Sequence, residues 1–357
     1  MKFNHSRSIK GLSRPNWLNN NSRNTKKIWI DKNELIYPPF LNLFKKILKK
    51  INIQELSVYP ELANIYKLLS KKINFPLKQI MLTNGSDDAI RIVFQTLANK
   101  EKVLITNPTF AMYEVYSKIY SKNFKKINYK NLKGNPNLNI NEIINTIDSF
   151  KPKLFCLPNP NSPTGTYFKF KEIKKLLQNS KKNNCYVLID EAYYPLSPIT
   201  MKTLIKQFNN LIIVRSFSKS YGLAGIRLGY ILSNNVLINE FQMRKNMYEI
   251  GNFSSIILRE ILQSKFDFKN HIIRIRKDKK FLIDNIKKRG FKVLNSPANF
   301  IHIDFGKNKN EIIKNLKKKI HFRELESHIS LNGLSRFSLT TRSNYKKILK
   351  IIDNEKI

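Results

Sequence analysis

The stretches YVLIDEAYY (residues 186–194) and LIIVRSFSKSYGLAGIRLGY (residues 211–230) decide the fold of this 357-residue chain. Each opens with an unbroken apolar run, Tyr186 to Ile189 and Leu211 to Val214, and then turns polar. Runs without polar alternation indicate strands that are buried on both faces, as in a parallel sheet. A helical periodicity at 201–208 lies between them, so the two stretches predict a strand–helix–strand unit.

The same alternation continues along the chain. Further strands are predicted at Ile80 to Leu82, Val103 to Thr106, Leu154 to Leu157 and Leu228 to Leu232, with helices at 87–98 and 170–183. After about residue 236 the pattern predicts helices near 236–249, 254–264, 270–289 and 343–353, and strands at Phe291 to Val293, Phe300 to Asp304 and Arg336 to Thr340. We therefore expect an α/β fold with a mainly parallel sheet and a smaller α+β domain. The expected division is an N-terminal arm at 1–35, a large domain at 36–249 and a small C-terminal domain at 250–357.

Composition narrows the class of protein. The chain carries 65 Lys and Arg against 25 Asp and Glu, a formal charge of +40, and 41% of its residues are hydrophobic. This composition excludes a disordered tail or a collagen-like fibre. The lysines recur in small groups along the whole chain, which indicates a solvated surface more than a nucleic-acid site.

Neither membrane insertion nor secretion is indicated by the sequence. No apolar stretch reaches the length of a membrane helix, and no signal-peptide core opens the chain. Cys156 and Cys185 are too few for a disulfide scaffold or a four-cysteine zinc site. We expect a cytoplasmic protein without a metal, whose polar residues 1–30 form an extended arm suited to covering a second subunit.

Polar clusters follow the predicted strands, at the edge where open α/β sheets bind ligands. The segment TNGSDDA (83–89) places a glycine turn and capping residues before a helix, which suits either a phosphate or a simple N-cap. The proline-rich loop PNPNSPTG (158–165) predicts a rigid polar turn. Asp190 ends a buried strand, so its carboxylate must meet a cation in a ligand or a structural salt bridge.

The densest cluster lies within residues 216–230. A lysine at a strand end, such as Lys219, is partly removed from water, so its pKa falls and it can form imines and carry protons. The hydroxyls of Ser216 and Ser218, together with Arg227, could hold a phosphate. Because the chain has many lysines, only the order and surroundings of these residues distinguish Lys219 from the others as a functional candidate.

Three motifs in this order, NPNSPTG, DEAY and SFSKS followed by GIRLG, resemble the fold type I pyridoxal-phosphate aminotransferases. The likeness is closest to the histidinol-phosphate aminotransferase group and covers about residues 30 to 355. It implies that Lys219 binds pyridoxal 5'-phosphate covalently and that Asp190 pairs with the pyridinium nitrogen, which lets the ring act as an electron sink. Tyr193 and either Asn161 or Ser162 would hydrogen-bond the phenolic oxygen. Phe110 would stack on the ring, and the implied phosphate ligands are Ser86, Asp87, Ser216, Ser218 and Arg227.

The resemblance also implies how substrate and a second subunit are bound. Tyr59 would reach the phosphate from the partner of a homodimer. Arg336 matches the arginine that binds the substrate carboxylate, Arg323 lies near the place of a second substrate arginine, and Glu34 resembles part of a substrate-gating motif. The chain departs from the family pattern at Ser162, where an Asn is more usual, and at three places near the expected substrate site: Leu35, Thr340 and Arg342 to Asn344.

The implied reaction is ping-pong transfer of an amino group between an amino acid and a keto or aldehyde acceptor. Two alternatives remain at the level of sequence. A decarboxylase of phosphorylated amino acids would need the same lysine, aspartate and phosphate cradle. A non-catalytic nucleic-acid-binding protein would retain the fold, although intact Lys219, Asp190 and Arg227 speak against lost catalysis.

Overall fold

The computed structural model describes residues 23–354, and the predicted arm therefore lies largely outside the described residues. The helices are α1 Pro38–Leu48, α2 Ala63–Ile73, α3 Gly85–Leu97, α4 Ala111–Tyr120, α5 Ile140–Phe150, α6 Phe170–Lys182, α7 Phe217–Ser220, α8 Asn235–Gln242, α9 Asn252–Gln263, α10 Phe268–Lys288, α11 Lys309–Lys319 and α12 Arg342–Asp353. The strands are β1 Ile28–Trp29, β2 Ile80–Thr83, β3 Lys102–Asn107, β4 Asn123–Asn128, β5 Lys130–Leu132, β6 Asn135–Asn137, β7 Leu154–Pro158, β8 Tyr186–Asp190, β9 Leu211–Ser216, β10 Gly229–Leu232, β11 Lys292–Leu294, β12 Phe300–Asp304, β13 Ile320–His321, β14 Arg323–Glu324 and β15 Leu334–Ser338. None of the described helices is both long and apolar enough to cross a membrane.

A seven-stranded sheet in the order β2-β10-β9-β8-β7-β3-β4 forms the centre of the larger part of the molecule. Only β10 runs antiparallel to its neighbours, which confirms the predicted mainly parallel α/β fold. Helices α3, α4 and α8 cover one face, and α2, α5, α6 and α9 cover the other. The apolar runs are buried on both faces because successive side chains enter the cores on opposite sides of the sheet.

A smaller antiparallel sheet in the order β11-β12-β15-β14 follows. Helices α10, α11 and α12 pack on it through a separate apolar core that includes Leu282, Leu316 and Ile348. The short strand β1 pairs with β13, so residues 28–29 are attached to this part of the chain. The domain boundaries stay a prediction, and we note that Ile257 and Leu258 of α9 pack in the core of the large sheet.

Two predicted helices differ from the structure. The pattern at 201–208 forms a 3-10 turn, Lys202–Lys206, because the buried Glu191 carboxylate accepts the N–H of Met201 and fixes a tight entry. The helix predicted at 236–249 ends at Gln242. Beyond that point Tyr248 turns away to stack on Tyr59, with ring centroids 4.3 Å apart.

Candidate active site

The carboxyl ends of β3, β7, β8 and β9 bring the predicted polar clusters to one edge of the large sheet. Asp190 is the last residue of β8, and Lys219 lies on α7, directly after β9. Arg336 on β15 of the small sheet is close enough to Lys219 to repel its charge, as is Arg227. Two further cations therefore lie near Lys219, which is an arrangement suited to an anionic ligand.

Asp190 is buried and held by two hydrogen bonds. The N–H of Ala192 donates to Oδ1 at 2.9 Å, and the hydroxyl of Tyr113 donates to Oδ2 at 3.1 Å. Burial raises the pKa of Asp190 to about 6, and the two hydrogen bonds oppose that rise because they favour the charged form. The carboxylate is thus mostly ionised at neutral pH and can stabilise a protonated ring nitrogen.

The pKa of Lys219 is shifted in the opposite direction to that of Asp190. Burial, followed by the positive charge of Arg336, lowers the pKa of the Lys219 amine to about 8. The side chain of Ser216 caps α7 by accepting the N–H of Ser218 at 3.0 Å, which fixes the turn carrying Lys219. Nζ of Lys219 donates to the carbonyl of Lys32 at 3.0 Å, so the segment after β1 lies over the site.

Asn161 and Ser162, which the sequence could not separate, have different surroundings. The amide of Asn161 is fully buried and donates to the carbonyl of Pro108 at 2.9 Å and to Thr164 at 2.8 Å, which fixes the loop. Its oxygen accepts from Thr109. Ser162, by contrast, hydrogen-bonds the Tyr193 hydroxyl, and this contact favours Ser162 as the residue facing the ligand.

Tyr193 has a second partner in Asn33, whose amide nitrogen donates to the Tyr193 hydroxyl at 2.9 Å. Both residues are buried. The carbonyl of Asn33 in turn accepts from Asn299 at 2.7 Å, so this N-terminal segment connects the two sheets at the site. Asn33 and Glu34 together are the pair that resembles the family's substrate-gating motif, but the sequence did not predict the contacts of Asn33 with Tyr193 and Asn299.

The expected phosphate cradle lies at the start of α3. Gly85 has a φ of +80°, and a Cβ atom on it would lie 2.7 Å from Nη2 of Arg227. The glycine therefore lets this guanidinium approach the first turn of α3, where Ser86 lies and where free N–H groups attract anions. Nη1 of Arg227 also lies 3.5 Å from the Ser218 hydroxyl. These residues fit a phosphate, whereas Asp87 accepts a hydrogen bond from Tyr116 at 3.1 Å.

Arg336 is the best-placed candidate for binding a substrate anion. Its guanidinium is buried, with Nη2 donating to the carbonyl of Asp31 at 2.8 Å and Nη1 lying 3.3 Å from the Ser162 hydroxyl. Arg323 is its exposed cross-strand neighbour. Glu34 forms an ion pair with Arg23 at 2.7 Å and is near enough to raise the pKa of Lys219.

Two predicted residues lie further out. The Phe110 ring is 41% exposed and packs edge-to-face with Tyr113, with ring centroids 6.3 Å apart. Tyr59 is 73% exposed and contacts Tyr248 instead of the residues around Lys219. A role for Tyr59 at a catalytic site therefore requires a second copy of the chain.

The departures from the family pattern near the C-terminus have structural partners. The hydroxyl of Thr340 accepts from Asn344, and Arg342 pairs with Asp278 on α10 at 2.8 Å. These residues begin α12 rather than line the site. No group of acidic, histidine or cysteine residues that could hold a metal occurs in the described part of the chain.

Tyr113 is the contact that the sequence analysis missed. It lies three residues after Phe110, one turn along α4, so a helical reading of 111–120 places both on the same side. This three-residue spacing is the sequence signal from which Tyr113 could have been identified. Only the pairing of β3, β7 and β8 shows that this side faces Asp190.

Comparison with known proteins shows the family and the fold. A sequence profile described as "Aminotransferase class I and II" matches residues 25–352. The histidinol-phosphate aminotransferase of Clostridium novyi is 36% identical over 243 residues, which cover 68% of this chain and 66%, just under two thirds, of that protein. The histidinol-phosphate aminotransferase of Buchnera aphidicola subsp. Cinara cedri is 34% identical over 284 residues, covering 78% and 79% of the two chains. The crystal structure of the histidinol-phosphate aminotransferase from Clostridium acetobutylicum has a similar fold, with a TM-score of 0.79 and 23% identity over 92% of this chain and 98% of that one.

Proposed function

The chain belongs to the class I and II aminotransferase family, and on that premise we propose that it is a histidinol-phosphate aminotransferase of amino-acid biosynthesis. It transfers an amino group between histidinol phosphate and a 2-oxo acid in two half-reactions, with pyridoxal 5'-phosphate as its cofactor. When bound, this cofactor supplies an electron sink for the charge that develops at the substrate α-carbon.

One observation carries the proposal: Asp190 and Lys219 lie at the ends of the neighbouring strands β8 and β9, at the sheet edge where Arg227 and Arg336 are close to the Lys219 amine. The Asp190 carboxylate is ionised at neutral pH and can hold a proton on a ring nitrogen. The pKa of Lys219, lowered to about 8, leaves part of its amine neutral and able to accept a proton at Nζ. A base and a charged carboxylate with these shifts suit proton transfer at carbon.

The other residues would position and orient the cofactor and the substrates. Arg227, Ser86 and Ser218 hold the cofactor phosphate, and Ser216 fixes their turn. Ser162 and Tyr193 would hydrogen-bond the phenolic oxygen of the cofactor, and Phe110 would cover one face of its ring. Arg336 binds the anionic group of each substrate in turn, the phosphate of histidinol phosphate or the carboxylate of the amino acid, because a planar guanidinium suits both.

The active form is a homodimer. Tyr59 lies in an apolar surface with Leu56, Val58 and Tyr248, beside a cavity of about 760 Å³ lined by residues 56–60 and 250–253. Exposed apolar surfaces of this kind favour association, and a second copy would bring Tyr59 to a site that the single chain leaves without it. The cytoplasmic location belongs to the same proposal and follows from the biosynthetic role.

The test separates the two half-reactions. Histidinol phosphate is added alone to the cofactor-loaded protein while the visible absorbance of the cofactor and the keto product are followed. We expect one amino group transferred per chain, reversal on adding 2-oxoglutarate, and no transfer in Lys219→Ala. A matched variant, Lys202→Ala, should retain transfer. Release of carbon dioxide, or turnover with other amines but not histidinol phosphate, would overturn the proposed substrate and reaction.

A further inference from the structure

A second basic pocket lies at the opposite edge of the large sheet from Lys219. It has a volume of about 340 Å³ and is lined by Lys100, Glu101, Lys102, Lys122, Lys151, Pro152, Lys153, Asn183 and Asn184. These residues precede or begin β3, β4, β7 and β8, so they lie at the amino ends of the strands. The candidate active site uses the carboxyl ends and is a separate place in the fold.

The charge of this pocket is strongly unbalanced. Five lysines face a single carboxylate, Glu101, which leaves a formal charge of +4. The carboxyl ends of α3, α4, α5 and α6 also point here, and each contributes at most about half a negative charge. Helix ends therefore neutralise about half of the excess, and a charge of about +2 is left for a ligand.

Two of the five lysine amines are available to bind a ligand. Within residues 23–354, Nζ of Lys100 and Nζ of Lys122 form neither a hydrogen bond nor an ion pair. The other three are partly engaged: Lys102 donates to the carbonyl of Phe150 at 3.3 Å, Lys151 donates to Asn183, and Nζ of Lys153 lies 5.3 Å from the centre of the Tyr186 ring. Lys100 and Lys122 are exposed, so their amines are accessible to a ligand from solvent.

The backbone supports a role for these side chains. Lys100 and Lys151 have φ values of 59° and 51°, in the left-handed region where a glycine would be less strained. Lys151 directly follows the end of α5, at a position where glycine is the commonest residue, and Lys100 lies three residues after the end of α3. Lysine at both places puts two long cationic side chains at the pocket despite that strain.

We propose that this pocket binds a small phosphate-bearing anion with two or three negative charges. The volume fits a pyrophosphate group or the phosphates of a nucleotide, and the unpaired amines of Lys100 and Lys122 supply the charge-assisted hydrogen bonds. This site is independent of the proposed aminotransferase reaction, because none of its residues contributes to the carboxyl edge of the sheet.

The test is titration of the cofactor-loaded protein with inorganic pyrophosphate by calorimetry. We expect one site per chain and a Kd at least tenfold higher in Lys100→Gln/Lys122→Gln. The matched control, Lys346→Gln/Lys350→Gln, removes the same charge from the exposed side of α12 and should change the Kd less than twofold. Equal weakening in both pairs, or no effect of the first pair, would overturn the proposal. Loss of cofactor absorbance during titration would place the anion at the active site and overturn it as well.

Lysine acylation followed by mass spectrometry gives a readout that needs no variant. Pyrophosphate should protect Lys100 and Lys122 at least fivefold and leave Lys346 unprotected. Absence of protection at the pocket would contradict the proposal. A nucleoside triphosphate is then compared with pyrophosphate: tenfold tighter binding identifies a nucleotide as the ligand, whereas equal binding identifies the phosphate group alone, and both results support the site.

Discussion

The hydroxyl of Tyr113 donates a hydrogen bond of 3.1 Å to Oδ2 of Asp190, in the buried centre of the candidate active site. The bond favours the ionised carboxylate, against burial, which raises its pKa to about 6. Tyr113 is thus a positioning residue that acts through Asp190, since it keeps the carboxylate charged at neutral pH.

Replacing Tyr113 by Phe should raise the pKa of Asp190, because the carboxylate loses a donor that stabilises its charged form. We expect the acid limb of the kcat/KM profile to move to higher pH, with about a tenfold loss at pH 6 and a smaller loss at pH 8. Tyr116 lies on the same helix as Tyr113, and Tyr116→Phe removes its hydrogen bond to Asp87. This control variant should leave the acid limb in place. Parallel losses at every pH in Tyr113→Phe would indicate a packing defect instead.

Arg336 lowers the pKa of Lys219, so Arg336→Met should raise it. A neutral amine is needed to capture pyridoxal phosphate, and the capture rate of the cofactor-free protein should therefore rise with pH around pH 8. In Arg336→Met this rise should occur at higher pH, whereas Arg336→Lys should resemble the native chain. Arg323→Met serves as the neighbouring control, and an identical profile in Arg336→Met would refute the coupling.

Arg215 and Glu191 form a buried ion pair at 2.9 Å behind Asp190, and the guanidinium lies 3.8 Å from the centre of the Tyr194 ring. Arg215→Met should cost about 3–5 kcal/mol of unfolding free energy in urea, because it leaves a buried carboxylate unpaired. Adding Glu191→Gln should recover part of that loss. Lys280→Met removes one side of the exposed Lys280–Asp284 pair and should change stability by less than about 1 kcal/mol.

Val58 and Met247 are exposed beside Tyr59. In the proposed homodimer, Val58→Asp/Met247→Asp should produce monomers in sedimentation experiments, since it buries two unpaired charges. Leu132→Asp alters an exposed apolar residue elsewhere and should leave the dimer intact. Tyr59→Phe should also remain dimeric but bind the cofactor more weakly. A monomeric native chain with full activity would contradict both the dimer and this role of Tyr59.

Ser162 and Asn161 can be separated by function. Ser162→Ala should lower kcat/KM about three- to tenfold, because the hydroxyl contacts Tyr193 and Arg336. Asn161→Ala should mainly lower the melting temperature, as the buried amide fixes the loop. The reverse pattern would show that Asn161 faces the ligand.

Much of the fold was predictable because its determinants are local. The apolar runs at 186–189 and 211–214 lack polar alternation, so they indicated buried parallel strands before any neighbour was known, and the structure confirms them. The helix predicted at 236–249 was wrong beyond Gln242, where Tyr248 packs on the distant Tyr59. Periodicity cannot register a contact of that kind.

The sequence by itself determined the strand–helix alternation and the order of the motifs, since these depend on residue type and spacing, and the family resemblance of those motifs predicts the roles of Lys219, Asp190 and Arg227. Tertiary structure alone decided which side chains meet. Tyr113 reaches Asp190 from another strand crossover, Arg336 comes from a second sheet, and Ser162 rather than Asn161 turns towards Tyr193. The physical reason is that burial and the electrostatic field at a side chain come from residues far away in the chain, and these set its pKa and its hydrogen bonds.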